Sequence, residues 1–476
     1  MVPLPHIHIC KQEWIKPAIP TSKENGKLPL SDWDVVMYKS YTPLLLFYPN
    51  FNKSADFMET SFLLHSLRQV LVDFYPLAGR LIDIGNGRDE IHCNDTGVLF
   101  QEAIYQEKLE DAREEGYLPH QLDYHRMLPI HFYRSYQDPL LAIQLNRFLD
   151  GGVVLGVMML HKIADTYSIC LFLDSWAKLA RGLTYGKSSF NRSIIAIPDK
   201  TVITDEAIDY YREQHKSISY QQYRLKTDSA NNNNPHRTLT KTSPNGPPPL
   251  KSIVLEFYSD GLLECKKDAH TRDMIKNRQQ ISTKDALFGL LLRAIIRSKK
   301  ELAEEDAVKL IFSVNGRTVM QKTKDIDFYF GNWMITRSVS MNKKQIKSTS
   351  LVEAAKAFQQ QSMSLTPSLF HSLSKIYTLN EDMTVHYLSY QPNSDTQITG
   401  NDISMLPFWR IDFGYGRPDR TRGYITSGGN GCLVIFGRSD GNKGAMYDVQ
   451  LQMDPDSIKA FVNDHEIKKY TRRILY

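Results

Sequence analysis

The stretch VVLGVMMLHKIADTYSICLFLDSW, residues 153–176, decides the fold. Residues 153–160 are apolar without a charged interruption, a pattern typical of a strand that is buried on both faces. After His161, apolar side chains recur at helical spacing over residues 169–176. The stretch therefore predicts a strand, a turn and a helix, with His161 and Asp165 at the turn.

The pair formed by His161 and Asp165 has two readings at this stage. Of the fourteen histidines, only His161 has an aspartate four positions later, but about one such match is expected by chance. A rigid strand end is a common place for a catalytic side chain. The alternative is a half-buried structural histidine, with Asp165 as the N-cap of the helix.

Composition limits the class of protein. The chain has 476 residues, 42% of them hydrophobic and 23% charged, which is enough for two domains of a soluble enzyme. We find no apolar run of membrane-spanning length and no secretory leader. The five cysteines show no metal-binding spacing, so we expect reduced thiols, a cytoplasmic location and no metal site. A net charge of +5 is low for a nucleic-acid-binding protein and suits an anionic ligand.

Two halves flank a segment of different character. Residues 182–249 end in a stretch rich in asparagine, proline and serine, which indicates a long surface crossover. Before it, SFLLHSLRQVLVDF (residues 61–74) has helical periodicity. After it, ISTKDALFGLLLRAIIRSKK (residues 281–300) places Ser282 as an N-cap before an apolar helical face. Both halves therefore read as mixed α/β.

Eight motifs together resemble those of the BAHD acyltransferase family, in the same order and over almost the whole chain. The motifs are PLSDWD (29–34), FYPLAGRL (74–81), NDTGVLFQEA (94–103), HKIAD (161–165), ISTKDAL (281–287), VNGRT (314–318), YFGN (329–332) and DFGYGRP (412–418). The resemblance implies an α/β fold of two chloramphenicol-acetyltransferase-like domains, mixed sheets with helices, and an active-site tunnel between them. It implies an N-terminal half at 1–185, a crossover loop at 186–250 and a C-terminal half at 251–476.

The resemblance implies direct transfer of an acyl group from a coenzyme A thioester to an alcohol or amine, with His161 as general base. The Asp165 side chain would turn away from the reacting groups and pair with Arg317. The alternative is that Arg317 is a solvated surface residue. Tyr415 replaces the tryptophan of the family motif DFGWG, and it either donates to the oxyanion or only packs. Thr166 stands where the family usually has glycine. No GxSxG motif for an acyl-enzyme is present.

The remaining site residues are also implied by the resemblance. Asp412, Gly414 and Gly416 would be structural residues of the second motif. Thr399 and Asn401 are candidates for oxyanion or acceptor contacts. Acyl-coenzyme A would be a co-substrate rather than a permanent cofactor, and the candidates for binding it are Lys266, Lys267, Ser282 and Thr283. The alternative for the two lysines is ordinary solvated surface charge.

Other functions stay open. Shikimate-using members carry a carboxylate-binding arginine where this chain has Met405, so shikimate is not the expected acceptor. A condensation-type acyltransferase that takes its acyl group from a carrier protein shares the HxxxD motif, but usually with adjacent histidines and a glycine after the aspartate. A third possibility is a non-catalytic coenzyme A-binding or scaffold protein of the same fold. We expect a monomer.

Overall fold

Three β-sheets organise the computed structural model, which describes residues 7–130, 135–214, 250–276, 280–320, 325–380, 383, 395–425, 430–439 and 445–476. The strands are β1 (Ile7–Ile15), β2 (Lys27–Pro29), β3 (Tyr41–Tyr48), β4 (Arg80–Gly85), β5 (Arg88–His92), β6 (Val98–Tyr105), β7 (Leu141–Arg147), β8 (Val153–Leu160), β9 (Lys251–Phe257), β10 (Ala307–Asn315), β11 (Met334–Asn342), β12 (Gln397–Ile403), β13 (Arg420–Gly423), β14 (Cys432–Ser439), β15 (Ala445–Met453) and β16 (Arg473–Leu475).

Helices lie between the strands in both halves of the chain. They are α1 (Asp32–Val35), α2 (Thr60–Asp73), α3 (Leu109–Arg113), α4 (Thr166–Ala180), α5 (Asp205–Gln214), α6 (Ser259–Asp268), α7 (Arg272–Lys276), α8 (Thr283–Ser298), α9 (Lys343–Ser348), α10 (Leu351–Met363), α11 (Pro367–Leu379), α12 (Pro455–Val462) and α13 (His465–Tyr470). The mixed α/β class predicted from the sequence is confirmed. Among the described helices, none combines the length and the apolar character needed to cross a membrane.

The first large sheet has six strands in the order β1-β6-β7-β8-β3-β13. Strand β8 lies between β7 and β3, and all eight of its residues are buried, as its continuous apolar sequence predicts. Helices α2 and α4 pack against each other, and the Trp176 indole of α4 donates to the Ser66 hydroxyl of α2 over 3.0 Å. The predicted strand, turn and helix around His161 are therefore all present.

The second large sheet has seven strands in the order β11-β10-β12-β14-β15-β9-β16. Helix α8 packs beside it against α6, α10 and α12, and nearly all of its residues are buried. Ser282 caps α8, and its hydroxyl accepts from the Asp285 amide at 3.1 Å. This N-cap was predicted from the sequence.

Strand β13 belongs to the second half of the chain but pairs with β3 in the six-stranded sheet. Its Arg422 is fully buried and donates to Asp448 on β15 at 2.8 Å and to the Gly116 carbonyl at 3.0 Å. This ion pair ties the two large sheets together. The predicted division at 1–185, 186–250 and 251–476 stays a prediction; α5 lies inside the range predicted as a crossover loop, and residues 215–249 lie outside the described residues.

Candidate active site

The turn between β8 and α4 is fixed at both ends. The His161 amide donates to the Ser40 carbonyl at 2.7 Å, directly after β8 ends at Leu160. At the other end Asp165 is the N-cap of α4, and its Oδ1 accepts from the Ser168 amide at 2.9 Å. One of the two carboxylate oxygens of Asp165 therefore caps α4, which is the N-cap role that the sequence left open.

The second oxygen of Asp165 belongs to a buried ion pair with Arg317. Arg317 Nη1 donates to Asp165 Oδ2 at 2.7 Å, and the Trp333 amide donates to the same oxygen at 3.1 Å. The two side chains are only 2% and 6% exposed. Arg317 is therefore not a solvated surface arginine, and a charge-assisted pair at this depth holds the turn.

Further contacts fix the guanidinium of Arg317. Its Nη2 donates to the carbonyls of Tyr329 at 2.9 Å and Gly331 at 3.1 Å. The guanidinium carbon Cζ of Arg317 lies over the Tyr167 ring, 4.5 Å from the ring centroid. The side chain thus joins α4 to the segment before β11. The contacts described for Asp165 are with Ser168, Arg317 and Trp333 rather than with the His161 ring.

The His161 ring is oriented by an asparagine that sequence analysis did not single out. His161 Nδ1 lies 3.2 Å from Asn332 Oδ1. The side-chain nitrogen Nδ2 of Asn332 donates to the His161 carbonyl at 2.8 Å and to Asp34 Oδ1 at 2.9 Å. Because that nitrogen has two acceptors, the oxygen of the amide faces the ring, and the network assigns the proton of a neutral His161 to Nδ1. Nε2 therefore keeps its lone pair for an incoming proton.

Asp34 holds Asn332 in place through hydrogen bonds. Asp34 is fully buried. It accepts from the backbone amide of Asn332 at 2.7 Å and from the Ser31 hydroxyl at 2.7 Å. Arg192 Nη2 lies 3.3 Å from its Oδ2. Ser31 and Asp34 form the capping box of α1, inside the motif PLSDWD. The position of His161 is thus connected to the N-terminal helix α1 through Asn332.

Replacing Asn332 with alanine is expected to lower kcat by about a hundredfold, because the ring loses the acceptor that fixes its tautomer and angle. KM should change by no more than about threefold if the substrates do not contact Asn332. The measurement is steady-state kinetics of Asn332→Ala beside the exposed control Asn463→Ala. An unchanged kcat in the folded Asn332→Ala protein would show that the ring is oriented by something else.

The DFGYG loop is a closed turn built on Asp412. Its Oδ1 accepts from the amides of Gly414 at 2.8 Å and Gly416 at 3.0 Å. Both glycines have φ near +100°, a conformation that other residues rarely adopt. Asp412 Oδ2 also lies 3.7 Å from Arg181 Nη1 at the end of α4. These contacts support the structural role predicted for Asp412, Gly414 and Gly416.

Tyr415 points from this loop into an aromatic cluster. Its ring centroid lies 5.5 Å from that of Phe57 and 6.0 Å from that of Phe62, with both pairs edge to face. Partial burial and the nearby Asp56 raise the pKa of its hydroxyl. No contact described for Tyr415 reaches His161 or Asn332 in the resolved ranges of the fold. These contacts favour the packing role of Tyr415 over donation to an oxyanion. The role of Tyr415 in the reaction stays a prediction.

The four residues predicted to bind coenzyme A lie in neighbouring segments. Lys266 and Lys267 are in the last turn of α6, and Ser282 and Thr283 begin α8. His270 bridges the two segments, because the Ile281 amide donates to its Nε2 at 2.9 Å and its Nδ1 lies 2.6 Å from the Lys266 carbonyl. Binding of coenzyme A at this place stays a prediction.

Thr399 and Asn401 lie on one face of β12, two residues apart. The Thr399 hydroxyl donates to Cys432 Sγ at 3.3 Å, and Asn401 Oδ1 accepts from the Ser313 hydroxyl at 3.0 Å. Ile403 and Val434, on the same face by register, pack against the core that contains β8. This face is therefore turned toward the half that carries His161, and the roles predicted for Thr399 and Asn401 stay predictions. The Met405 side chain is 83% exposed.

Comparison with known proteins identifies the class. The sequence matches the transferase family over residues 5–467. It is 26% identical to a hydroxycinnamoyltransferase of Narcissus pseudonarcissus, covering 94% of this chain and 97% of that protein. It is 28% identical to the hydroxycinnamoyl-CoA:5-hydroxyanthranilate N-hydroxycinnamoyltransferase of Avena sativa, covering 81% and 83%. The chain belongs to this family, the BAHD acyltransferases, and it is an acyltransferase enzyme.

A solved structure supports the fold. F. sporotrichioides TRI101, complexed with coenzyme A and T-2, superposes with a TM-score of 0.74 at 15% identity, covering 94% of this chain and all of that one. At this identity the likeness speaks for the fold alone. The predicted fold of two acyltransferase-type α/β domains is confirmed.

Proposed function

We propose that this chain transfers an acyl group from a coenzyme A thioester directly to an alcohol or amine, with His161 Nε2 as the general base. The observation that carries the proposal is the Nδ1 contact with Asn332, which leaves Nε2 as the basic nitrogen of the ring in a chain of this family. An imidazole nitrogen that keeps its lone pair can accept the proton of the attacking group.

In the proposed reaction, the acceptor oxygen or nitrogen attacks the thioester carbonyl while its proton passes to His161 Nε2. The tetrahedral intermediate carries the negative charge on the former carbonyl oxygen, for which Thr399 and Asn401 are the candidate contacts. When the intermediate collapses, the carbon–sulfur bond breaks and the coenzyme A thiolate takes the proton back from His161. The products are an ester or amide and free coenzyme A.

Three of the five cysteines are poor candidates for an acyl-cysteine intermediate. Cys93, Cys170 and Cys265 are buried, and burial raises their pKa values, to about 12 for Cys93 and Cys265. A thiol with such a pKa is not a nucleophilic thiolate at neutral pH. The five cysteines, all of which lie in described ranges, form no disulfide, which agrees with the cytoplasmic location that we also propose, together with a monomeric state.

The test is a donor panel of acetyl-, malonyl-, long-chain and hydroxycinnamoyl-coenzyme A, each with pooled alcohol and amine acceptors. We expect one donor class to release thiol only when acceptor is present, with an equal amount of ester or amide formed. Binding of coenzyme A without turnover of any donor would favour the non-catalytic protein. Turnover only with an acyl group on a carrier protein would favour the condensation-type enzyme.

A further inference from the structure

Arg192 lies in the range predicted as a crossover loop, and its side chain reaches the network that orients His161. The side chain is 18% exposed, and its Nη2 lies 3.3 Å from Asp34 Oδ2. Asp34 is the buried carboxylate whose other oxygen accepts from the carboxamide of Asn332 at 2.9 Å. Two side chains, those of Asp34 and Asn332, therefore connect Arg192 to the His161 ring.

The backbone close to Arg192 pairs with the segment that leads to Asn332. The Ser189 amide donates to the Phe328 carbonyl at 2.8 Å, and the Phe330 amide donates to the Ser189 carbonyl at 2.9 Å. These two bonds form a parallel bridge between the two segments. The start of the predicted crossover is thus fixed against the backbone on which Asn332 stands, and it presents the Arg192 side chain there.

Two arginines hold three successive backbone carbonyls immediately before Asn332. Arg192 Nη1 donates to the Phe330 carbonyl at 2.6 Å. Arg317 Nη2 donates to the carbonyls of the residues on either side of Phe330. A guanidinium suits this arrangement because its N–H groups are fixed in one plane. The backbone that leads to Asn332 is therefore held from two distant parts of the chain.

The guanidinium of Arg192 packs closely against Gly331. A Cβ atom at position 331 would lie only 2.6 Å from Arg192 Nη1, which is closer than side-chain packing permits. The missing side chain of Gly331 therefore leaves the space in which the guanidinium lies. The contact places Arg192 against the residue directly before Asn332.

We infer that Arg192 is a positioning residue that keeps the Asn332 carboxamide in the orientation that His161 needs. It holds both attachments of Asn332, namely the Asp34 carboxylate that accepts from Nδ2 and the backbone just before Asn332. Without Arg192, the buried carboxylate loses this cation and the Phe330 carbonyl loses this donor. The carboxamide can then turn, and His161 Nδ1 loses its fixed acceptor. This inference rests on the proposed function, and Arg192 acts through Asn332 rather than on a reacting atom.

Arg192→Ala is expected to lower kcat about tenfold and to leave KM within about twofold, because it disturbs the base rather than the binding of the substrates. Arg192→Lys should lose about threefold, since one ammonium cannot serve the Asp34 carboxylate and the Phe330 carbonyl in the same planar geometry. Arg212→Ala is the matched control from the same predicted crossover range. The Arg212 side chain is 75% exposed, and this variant should keep the native kcat.

The decisive measurement is the same substitution in the Asn332→Ala background, by steady-state kinetics with the donor identified in the panel. The carboxamide through which Arg192 acts is already absent there, so adding Arg192→Ala should lower kcat by less than about twofold. A contribution of Arg192 to general stability would instead lower activity by the same factor in both backgrounds. The comparison therefore separates positioning of Asn332 from stabilisation of the fold.

The inference is overturned if Arg192→Ala, folded by circular dichroism, keeps more than about half of the native kcat, or if its effect is equal in the two backgrounds. A raised KM at unchanged kcat would also overturn it, because Arg192 would then contact a substrate. If Arg192→Ala does not fold, Arg192→Lys takes its place in the same comparison. Absence of turnover by the native protein would instead reject the proposed function, and this inference with it.

Discussion

Alanine at position 161 is expected to reduce kcat at least about a hundredfold, the usual contribution of a positioned general base. Nε2 of the His161 imidazole is available to accept a proton, because Nδ1 is engaged by Asn332. Coenzyme A affinity should stay within about threefold, since His161 transfers a proton during the reaction and is not among the residues proposed to bind coenzyme A. The measurement is acceptor-dependent thiol release with the donor identified in the panel.

A surface histidine provides the matched control for this experiment. His465 is the exposed first residue of α13, and His465→Ala should keep full activity. If His161→Ala retained a third or more of the native kcat while remaining folded, His161 would not be the base. A loss of activity accompanied by loss of coenzyme A binding would point to a role in holding the donor.

The largest expected effect on stability comes from Arg317. Arg317→Ala should lower the free energy of unfolding by about 3–5 kcal/mol, because it leaves the buried carboxylate of Asp165 without its cation. Arg317→Lys should recover only part of this, since a single ammonium cannot reach Asp165 and the carbonyls of Tyr329 and Gly331 in the same planar geometry. Urea unfolding followed by circular dichroism measures both.

A double-mutant cycle separates the ion pair from the other contacts of Arg317. Asp165→Asn keeps an oxygen for the N-cap and removes the charge, so Arg317→Ala should cost less in that background than in the native chain. Arg212, whose side chain is 75% exposed, is the surface control. Full stability of Arg317→Ala combined with loss of turnover would contradict the structural role and place Arg317 in the chemistry.

Local signals in the sequence predicted the local parts of this site. The apolar run before His161, the N-caps at Asp165 and Ser282 and the glycine turn around Tyr415 all depend on neighbours within a few residues. The Asp165–Arg317 pair spans 152 positions, and only the family resemblance suggested it. Periodicity alone contains no information on such a pairing.

The features of the site that the sequence did not indicate are contacts between residues that lie far apart in the chain and belong to no recognised motif pair. Asn332 meets His161 across 171 positions and Asp34 across 298. Lys162, the residue after His161, is completely buried and donates to the Val35 carbonyl of α1, a contact that no local pattern indicates. The short strand β13 was also not foreseen, because its four residues are ordered by pairing with β3 and by Arg422 rather than by their own pattern.

Direct transfer is tested most closely in a single turnover, with the native protein in excess over the acyl-coenzyme A identified in the panel. Free thiol and the intact mass of the protein are followed with and without acceptor. The account predicts no thiol and no mass gain without acceptor, and equal amounts of thiol and product with it. Thiol released in the absence of acceptor, together with a protein heavier by one acyl group, would contradict it and require a covalent intermediate.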